Sequence, residues 1–227
     1  MLRRVSTYIK QRGLLTKEQP VLVCISGGAD SVALLDVLLR AGYDCIAAHC
    51  NFHLRADESM RDELFVRRLC QEKGVKLHVR DFDTQSYART KAISIEMAAR
   101  ELRYKWFDEI AYSEKCQAIV VAHHQNDQAE TLLLNLRRGT GLRGLIGMRP
   151  ISANPLVPDS TIPIVRPLLC TTRDYIEYYL RSKRHMEWVE NWRNNSRRLK
   201  RKLRRTQRKR KKLLRKPVLR KQRSKLR

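Results

Sequence analysis

The chain has 227 residues, of which 42% are hydrophobic, and it carries a formal net charge of +25 at pH 7. This hydrophobic content suits a globular domain with one sizeable core and excludes a chain that is disordered throughout. Residues 197–227 contain 19 Lys or Arg and no acidic residue, which leaves only +6 for residues 1–196. The sequence therefore predicts a moderately basic globular domain followed by a polycationic tail.

The six cysteines show no C-x-x-C spacing and lie in apolar or helical contexts. This placement predicts unpaired core residues in the reducing cytoplasm rather than a disulfide framework, a zinc site or an iron–sulfur site. No apolar stretch approaches the roughly 20 residues that cross a bilayer, so we expect no membrane segment. Arg3, Arg4 and Lys10 interrupt the first ten residues, which argues against a secretory signal.

Strand and helix patterns alternate along the first 140 residues. We predict strands over residues 21–25, 43–49, 75–80 and 118–122. We predict helices over residues 2–11, 32–39, 57–73, 94–114 and 127–137, with a polar span over 83–91. This alternation indicates an α/β fold with a doubly wound, Rossmann-like parallel sheet, in which a ligand binds at the carboxyl ends of the strands.

From Gly139 onward the sequence is rich in glycine and proline, which predicts loops with one edge strand around residues 164–166. Thr171-Thr-Arg-Asp174 is a capping turn that opens a helix over residues 173–181. We expect a catalytic domain over residues 1–185 and a linker with a basic tail over residues 186–227.

The turn after the first strand has a composition suited to phosphate binding. It consists of Ser26, Gly27, Gly28, Ala29, Asp30 and Ser31. Glycines let the main chain approach a ligand, and the helix that follows directs free amides and a positive dipole at the same point. Asp30 offers an oxygen ligand for the Mg²⁺ that accompanies a nucleoside triphosphate. The turn matches neither the Walker pattern nor G-x-G-x-x-G, and a simple tight turn with an N-cap residue is the alternative.

A second polar cluster follows the fourth strand and contains His123, His124, Asn126, Asp127 and Glu130. Asp127 and Glu130 share one helix face, where they could bind Mg²⁺ or accept a proton from an attacking amine. The alternative is that Asp127 only caps the helix. A third group, residues 49–55, is expected after the second strand.

The chain resembles the N-type ATP pyrophosphatases through Ser26–Ser31, which matches their PP loop within an adenine nucleotide alpha-hydrolase-like fold. The resemblance to tRNA(Ile)-lysidine synthetases is closer. It rests on Ser-Gly-Gly-Ala-Asp-Ser together with His-His-Gln-Asn-Asp-Gln-Ala-Glu-Thr and Leu134-Asn-Leu-Arg-Arg-Gly-Thr-Gly-Leu. Segments 95–104 and 49–55 are also similar to that family, although Phe52 and His53 depart from its usual pattern.

The resemblance implies a ligase that adenylates the wobble cytidine of a tRNA(Ile) with a CAU anticodon and then joins free L-lysine to it. ATP and Mg²⁺ are the implied cofactors. By the same resemblance, residues 26–31 hold the phosphates, Asp30 binds Mg²⁺, and Arg103 faces the phosphates or the adenylated base. Asp127 and Glu130 hold the lysine amine or the metal, and residues 138–141 form a substrate-side loop.

Each assignment has a structural alternative. Arg100 and Arg103 could be surface residues paired with Glu96 or Glu101, and the residues around Asn51 could only end a strand. Rival functions are a tRNA 2-thiolation enzyme, for which a C-x-x-C pair is missing, and a degenerate basic RNA-binding protein. The tail could be a solvated disordered arm, an RNA-binding segment, or the remnant of a C-terminal region after a frameshift.

Overall fold

The structure is a computed structural model that describes residues 1–54, 57–139 and 146–182. Its six strands are β1 (Val21–Cys24), β2 (Cys45–Asn51), β3 (Lys76–Asp81), β4 (Ile119–Val120), β5 (Ile151–Ser152) and β6 (Ile164–Val165). They form one sheet of order β3-β2-β1-β4-β6-β5, in which only the β5–β6 pair is antiparallel. The predicted α/β fold with a mainly parallel sheet is confirmed.

The helices are α1 (Leu2–Arg12), α2 (Ala29–Arg40), α3 (Asp57–Lys73), α4 (Thr84–Lys91), α5 (Ile95–Ser113), α6 (Gln125–Arg137) and α7 (Arg173–Ser182). A 3₁₀ helix, Pro167–Cys170, precedes α7. The sequence signals explain several ends: Gly13 closes α1 in a left-handed conformation, and the Ser94 hydroxyl accepts from the Met97 amide at the start of α5. All six predicted helices are therefore confirmed to within a few residues.

Two regions differ from the prediction. The polar span over residues 83–91 contains α4, whose first turn is capped because the Asp83 carboxylate accepts a hydrogen bond from the Ser86 amide at 3.0 Å. The prediction of an edge strand at residues 164–166 is wrong in its position, because β6 lies between β4 and β5. The edge strand on this side of the sheet is β5, which is too short to show a hydrophobic pattern.

The sheet reverses its direction of growth beside β1. From β1 the chain moves outward to β2 and β3, and it then returns to β4 on the other side of β1. Leu22, Ile119 and Ile164 are fully buried in the central strands, with α5 packed on β1 and β4 and α2 packed on β1 and β2. The carboxyl ends of β1 and β4 therefore flank the crevice in which sheets of this type bind ligands.

All six cysteines are free, as predicted, and three of them are buried. Within the described residues, no helix has the length and apolar character needed to cross a membrane. The predicted boundary near residue 185 and the basic tail lie outside the described residues and stay predictions.

Candidate active site

The phosphate loop, residues 26–31, leaves β1 and enters α2 through a turn fixed by its own hydroxyl groups. The Ser31 hydroxyl donates to the Gly28 carbonyl at 2.9 Å and accepts from the Ser26 amide at 3.2 Å. Gly27 has φ of +82°, a conformation that favours glycine, and its Cα faces Asp62 and Val66 of α3. Among the described residues, no side chain caps α2 at Gly28. The first-turn amides of α2 therefore point out of a rigid turn without a side-chain acceptor, as an anion site requires.

Asp30 lies in the first turn of α2, and its side chain is 22% exposed. One carboxylate oxygen, Oδ2, accepts a hydrogen bond from Arg173 Nη1 at 3.1 Å. The other, Oδ1, is buried, lies 3.7 Å from His124 Nε2 and has no hydrogen-bond partner among the described residues. Burial raises the pKa of Asp30, and the charge of Arg173 opposes that shift. The carboxylate is thus only partly compensated by protein groups.

His124 joins the phosphate loop to the second polar cluster. Its side chain is buried, with Nε2 towards Asp30 and Nδ1 3.5 Å from Asp127 Oδ2. Asp127 Oδ2 also accepts from the His124 amide at 2.9 Å, so Asp127 does cap α6. Glu130 is exposed one turn further along α6. The two predicted clusters therefore meet at the crevice, and the capping alternative for Asp127 holds alongside its place in the site.

Arg103 lies on α5 near the ends of β1 and β2. Its guanidinium carbon is 5.2 Å from the centroid of the Phe52 ring, a cation–π contact, and Arg103 opposes the rise that burial causes in the pKa of Cys24 and Cys50. Glu101, the alternative ion-pair partner, instead accepts a hydrogen bond from the Tyr87 hydroxyl. Arg103 therefore lies beside Phe52, just after β2, and its role in the reaction stays a prediction.

The third group is placed differently from the prediction. β2 continues to Asn51, so His49 and Asn51 lie inside the strand and are buried. His49 Nδ1 donates to the Ile25 carbonyl at 2.8 Å, and the Asn51 amide donates to Glu63 of α3 at 2.8 Å. Burial lowers the pKa of His49, which keeps the ring neutral. His49 thus holds Ile25, the residue before the phosphate loop, and Asn51 ties β2 to α3.

Comparison with known protein families identifies this arrangement. A family model described as a PP-loop domain matches residues 1–211. The chain belongs to the PP-loop family. It is 56% identical over 181 residues to the tRNA(Ile)-lysidine synthase of Bacteroides thetaiotaomicron, an overlap of 79% of this chain and 40% of the relative. It is 50% identical over 191 residues to that of Parabacteroides distasonis, an overlap of 84% and 42%. The chain thus spans about two fifths of the length of these curated relatives.

Two solved structures share the fold. A U34-tRNA thiolase from Methanococcus maripaludis superposes with a TM-score of 0.64 at 17% identity, covering 83% of this chain and 63% of its own. An NH3-dependent NAD synthetase from Campylobacter jejuni gives a TM-score of 0.56 at 13% identity, covering 84% and 75%. At such identities the likeness concerns the fold alone.

The PP loop has a further partner that sequence reasoning missed. Arg173 begins α7, where the sequence predicted a capping turn and the start of a helix but no site residue, and its guanidinium pairs with Asp30 across 143 positions of sequence. The Arg173 amide also donates to the side chain of Asn126 at 3.0 Å, so α7 is tied to α6 as well. No local pattern signals a contact over that separation. Of the predicted loop 138–141, residues 140 and 141 lie outside the described residues.

Proposed function

We propose that this chain uses ATP to activate the wobble cytidine of a tRNA(Ile) with a CAU anticodon and joins L-lysine to it, giving lysidine, AMP and pyrophosphate. The main support is that Asp30 and Asp127 both lie beside His124 at the carboxyl edge of a PP-loop sheet. The chain is also 50–56% identical to curated tRNA(Ile)-lysidine synthases. Free cysteines and a tRNA substrate are consistent with the cytoplasm.

The residues fit Mg²⁺ as a partner of bound nucleotide. Asp30 Oδ1 is a buried carboxylate oxygen without a hydrogen-bond donor among the described residues. No group of three His, Cys, Asp or Glu in the described part of the chain could hold a metal ion by itself. Mg²⁺ commonly binds one or two carboxylates together with phosphates and water, so Asp30 and ATP would suffice. When bound, the ion neutralises charge on the phosphates.

The chain's own residues then divide the work. The PP loop holds the phosphates on the α2 amides while the cytidine O2 attacks the α-phosphorus and displaces pyrophosphate. Arg103 stabilises the negative charge that develops on the transferred phosphoryl group. The lysine ε-amine attacks C2, and AMP leaves with the former O2. Asp127 and Glu130 bind the amine and accept its proton.

The direct experiment incubates the full chain with ATP, Mg²⁺, radiolabelled lysine and a tRNA(Ile) transcript. We expect label in the RNA together with AMP, both lost by at least about 100-fold in Asp30→Asn and Asp127→Asn, since each removes a charged group from the reacting centre. Asp44→Asn is the matched control, because Asp44 is an exposed carboxylate just before β2.

The outcomes separate the rival functions. AMP release without lysine incorporation would favour a different adenylating reaction, such as 2-thiolation. RNA binding without any ATP turnover would favour the degenerate RNA-binding protein and contradict the proposal.

A further inference from the structure

Arg166 is a buried cation at the carboxyl end of β6 that the proposed reaction leaves unused. The residue is only 8% exposed. Its Nη1 donates to the Arg149 carbonyl and to the Ser152 hydroxyl, both at 3.0 Å, which fixes the guanidinium against β5. Its Nε is buried and has no hydrogen-bond partner among the described residues. A buried guanidinium held along one edge thus keeps its other edge, Nε and Nη2, for a ligand.

The surroundings of Arg166 are electropositive. His123 follows β4, the strand that pairs with β6, and its Nδ1 is also buried without a partner in the described part of the chain. Burial and the nearby Arg166 lower the pKa of His123 to about 4, so the ring is neutral at pH 7. Arg100 of α5 adds a further positive charge that acts on both residues. A buried Arg with a second cation and an unsatisfied His beside it calls for an anion.

We propose that Arg166, with His123, binds the α-carboxylate of the lysine substrate. This inference rests on the proposed function and adds the site that holds the far end of the amino acid. The planar Nε–Nη2 edge matches the two oxygens of a carboxylate in a bidentate pair.

Charge separation favours an amino acid over a phosphate at this position. Lysine carries a cation on its side chain and an anion on its α-carboxylate, so its site needs both charges a short distance apart. Arg166 lowers the pKa of His123 and Asp127 raises it, so a cation and a carboxylate both lie near this residue. The phosphates of ATP already have a binding site in the PP loop, where the amides at the start of α2 are uncapped donors.

The test measures equilibrium binding to the full chain in the presence of ATP and Mg²⁺. L-lysine is compared with lysinamide, which keeps both amines and lacks the carboxylate charge. We expect wild type to prefer lysine, and we expect Arg166→Gln to weaken lysine binding about 10- to 100-fold while leaving lysinamide and ATP within about twofold. Arg89→Gln, in an exposed position on α4, is the matched control and should change none of the three constants.

Two further variants test the inference in case Arg166→Gln does not fold. Arg166→Lys should restore part of the preference, because it keeps the charge but not the fork. Ser152→Ala keeps the guanidinium and removes one of the two hydrogen bonds that hold it. It should therefore weaken lysine binding several-fold, and it tests the inference even if Arg166→Gln fails to fold.

Three results overturn the inference. Lysine binding unchanged in Arg166→Gln and Ser152→Ala would show that the carboxylate is held elsewhere. Loss of ATP binding instead would make Arg166 a phosphate ligand. Equal binding of lysine and lysinamide by wild type would remove the carboxylate subsite while leaving the proposed ligase intact, whereas absence of AMP formation would contradict the ligase itself.

Discussion

Gly27 is the residue at which the PP loop turns, and its backbone conformation opposes any side chain. Its φ is +82°, whereas an added Cβ would lie 3.5 Å from atoms of Asp62 and Val66, an ordinary van der Waals distance. A left-handed conformation disfavours an L-residue by roughly 1–2 kcal/mol. We therefore expect Gly27→Ala to lower the free energy of unfolding by about 1–2 kcal/mol and to weaken ATP binding about tenfold or more, because the loop amides move. Urea denaturation and calorimetric titration with ATP measure the two effects.

Gly13 supplies the matched control. It also has a positive φ, +57°, but nothing lies within 4 Å of its added Cβ, and it ends α1 away from the PP loop. Gly13→Ala should show a similar loss of stability with unchanged ATP affinity. Equal loss of ATP affinity in both variants would mean that the effect follows global stability rather than loop geometry.

At the level of helices, α7 is attached to α2 by a buried polar contact. The Tyr179 hydroxyl donates to Asp36 Oδ2 at 2.6 Å, and Lys73 Nζ lies 3.6 Å from the other oxygen of that carboxylate. Asp36 is 4% exposed, so a lost donor removes a hydrogen bond from a buried charge. We expect Tyr179→Phe to lower the free energy of unfolding by about 1–3 kcal/mol in urea denaturation.

Tyr178 gives the comparison for that substitution. It is the neighbouring residue on α7 and is 67% exposed. Tyr178→Phe should change stability by less than about 0.5 kcal/mol, as for most surface substitutions. Similar effects in the two variants would show that the Asp36 contact contributes nothing specific to α7 docking.

The elements that sequence predicted well are those whose signals are local. Strand–helix alternation, the Gly13 and Ser94 caps and the glycines after β1 each act within a few residues, and each recurs in the structure. Helix α4 was not predicted because its residues are mostly polar. Strand β5 was not predicted because two residues are too few to show a hydrophobic alternation. The position of β6 inside the sheet depends on that short neighbour, so it could not be inferred from its own residues.

The candidate site was predictable in part for the same reason. The phosphate loop and the cluster around Asp127 follow strands directly, so parallel-sheet geometry brings them to one edge. Arg166 and Arg173 lie in a predicted strand and at the start of a predicted helix, but no local pattern shows which distant residues these elements approach. Only the folded chain reveals that Arg173 contacts Asp30 and that Arg166 lies near His123.

For the molecule as a whole, the uneven charge predicts salt-dependent binding to RNA. Nineteen of the 25 excess positive charges belong to residues 197–227. Contacts between cations and phosphates release counterions, and the logarithm of the binding constant falls linearly with the logarithm of salt concentration, by about 0.7–0.9 per contact. We expect changing all five residues of the run 208–212 to Gln to weaken tRNA binding at low salt and to flatten this slope, as measured by filter binding from about 50 to 200 mM salt.

A control with the same charge change lies in the globular domain. It replaces five exposed basic residues by Gln: Lys10, Arg12, Arg89, Lys91 and Lys115. A smaller change of slope than in the tail variant is expected. An equal change in both variants would mean that RNA responds to total charge and that the tail has no particular part in binding.

The ion pair between Asp30 and Arg173 also constrains biosynthesis. Asp30 emerges from the ribosome early, together with β1, whereas its guanidinium partner is translated 143 codons later. Domains that form during translation assemble from the amino terminus. The nascent sheet can therefore pair β1 with β2 before Arg173, the ion-pair partner of Asp30, has been synthesised. A polypeptide interrupted anywhere between Ser31 and Arg173 would thus retain the whole glycine turn and yet lack a fully assembled crevice.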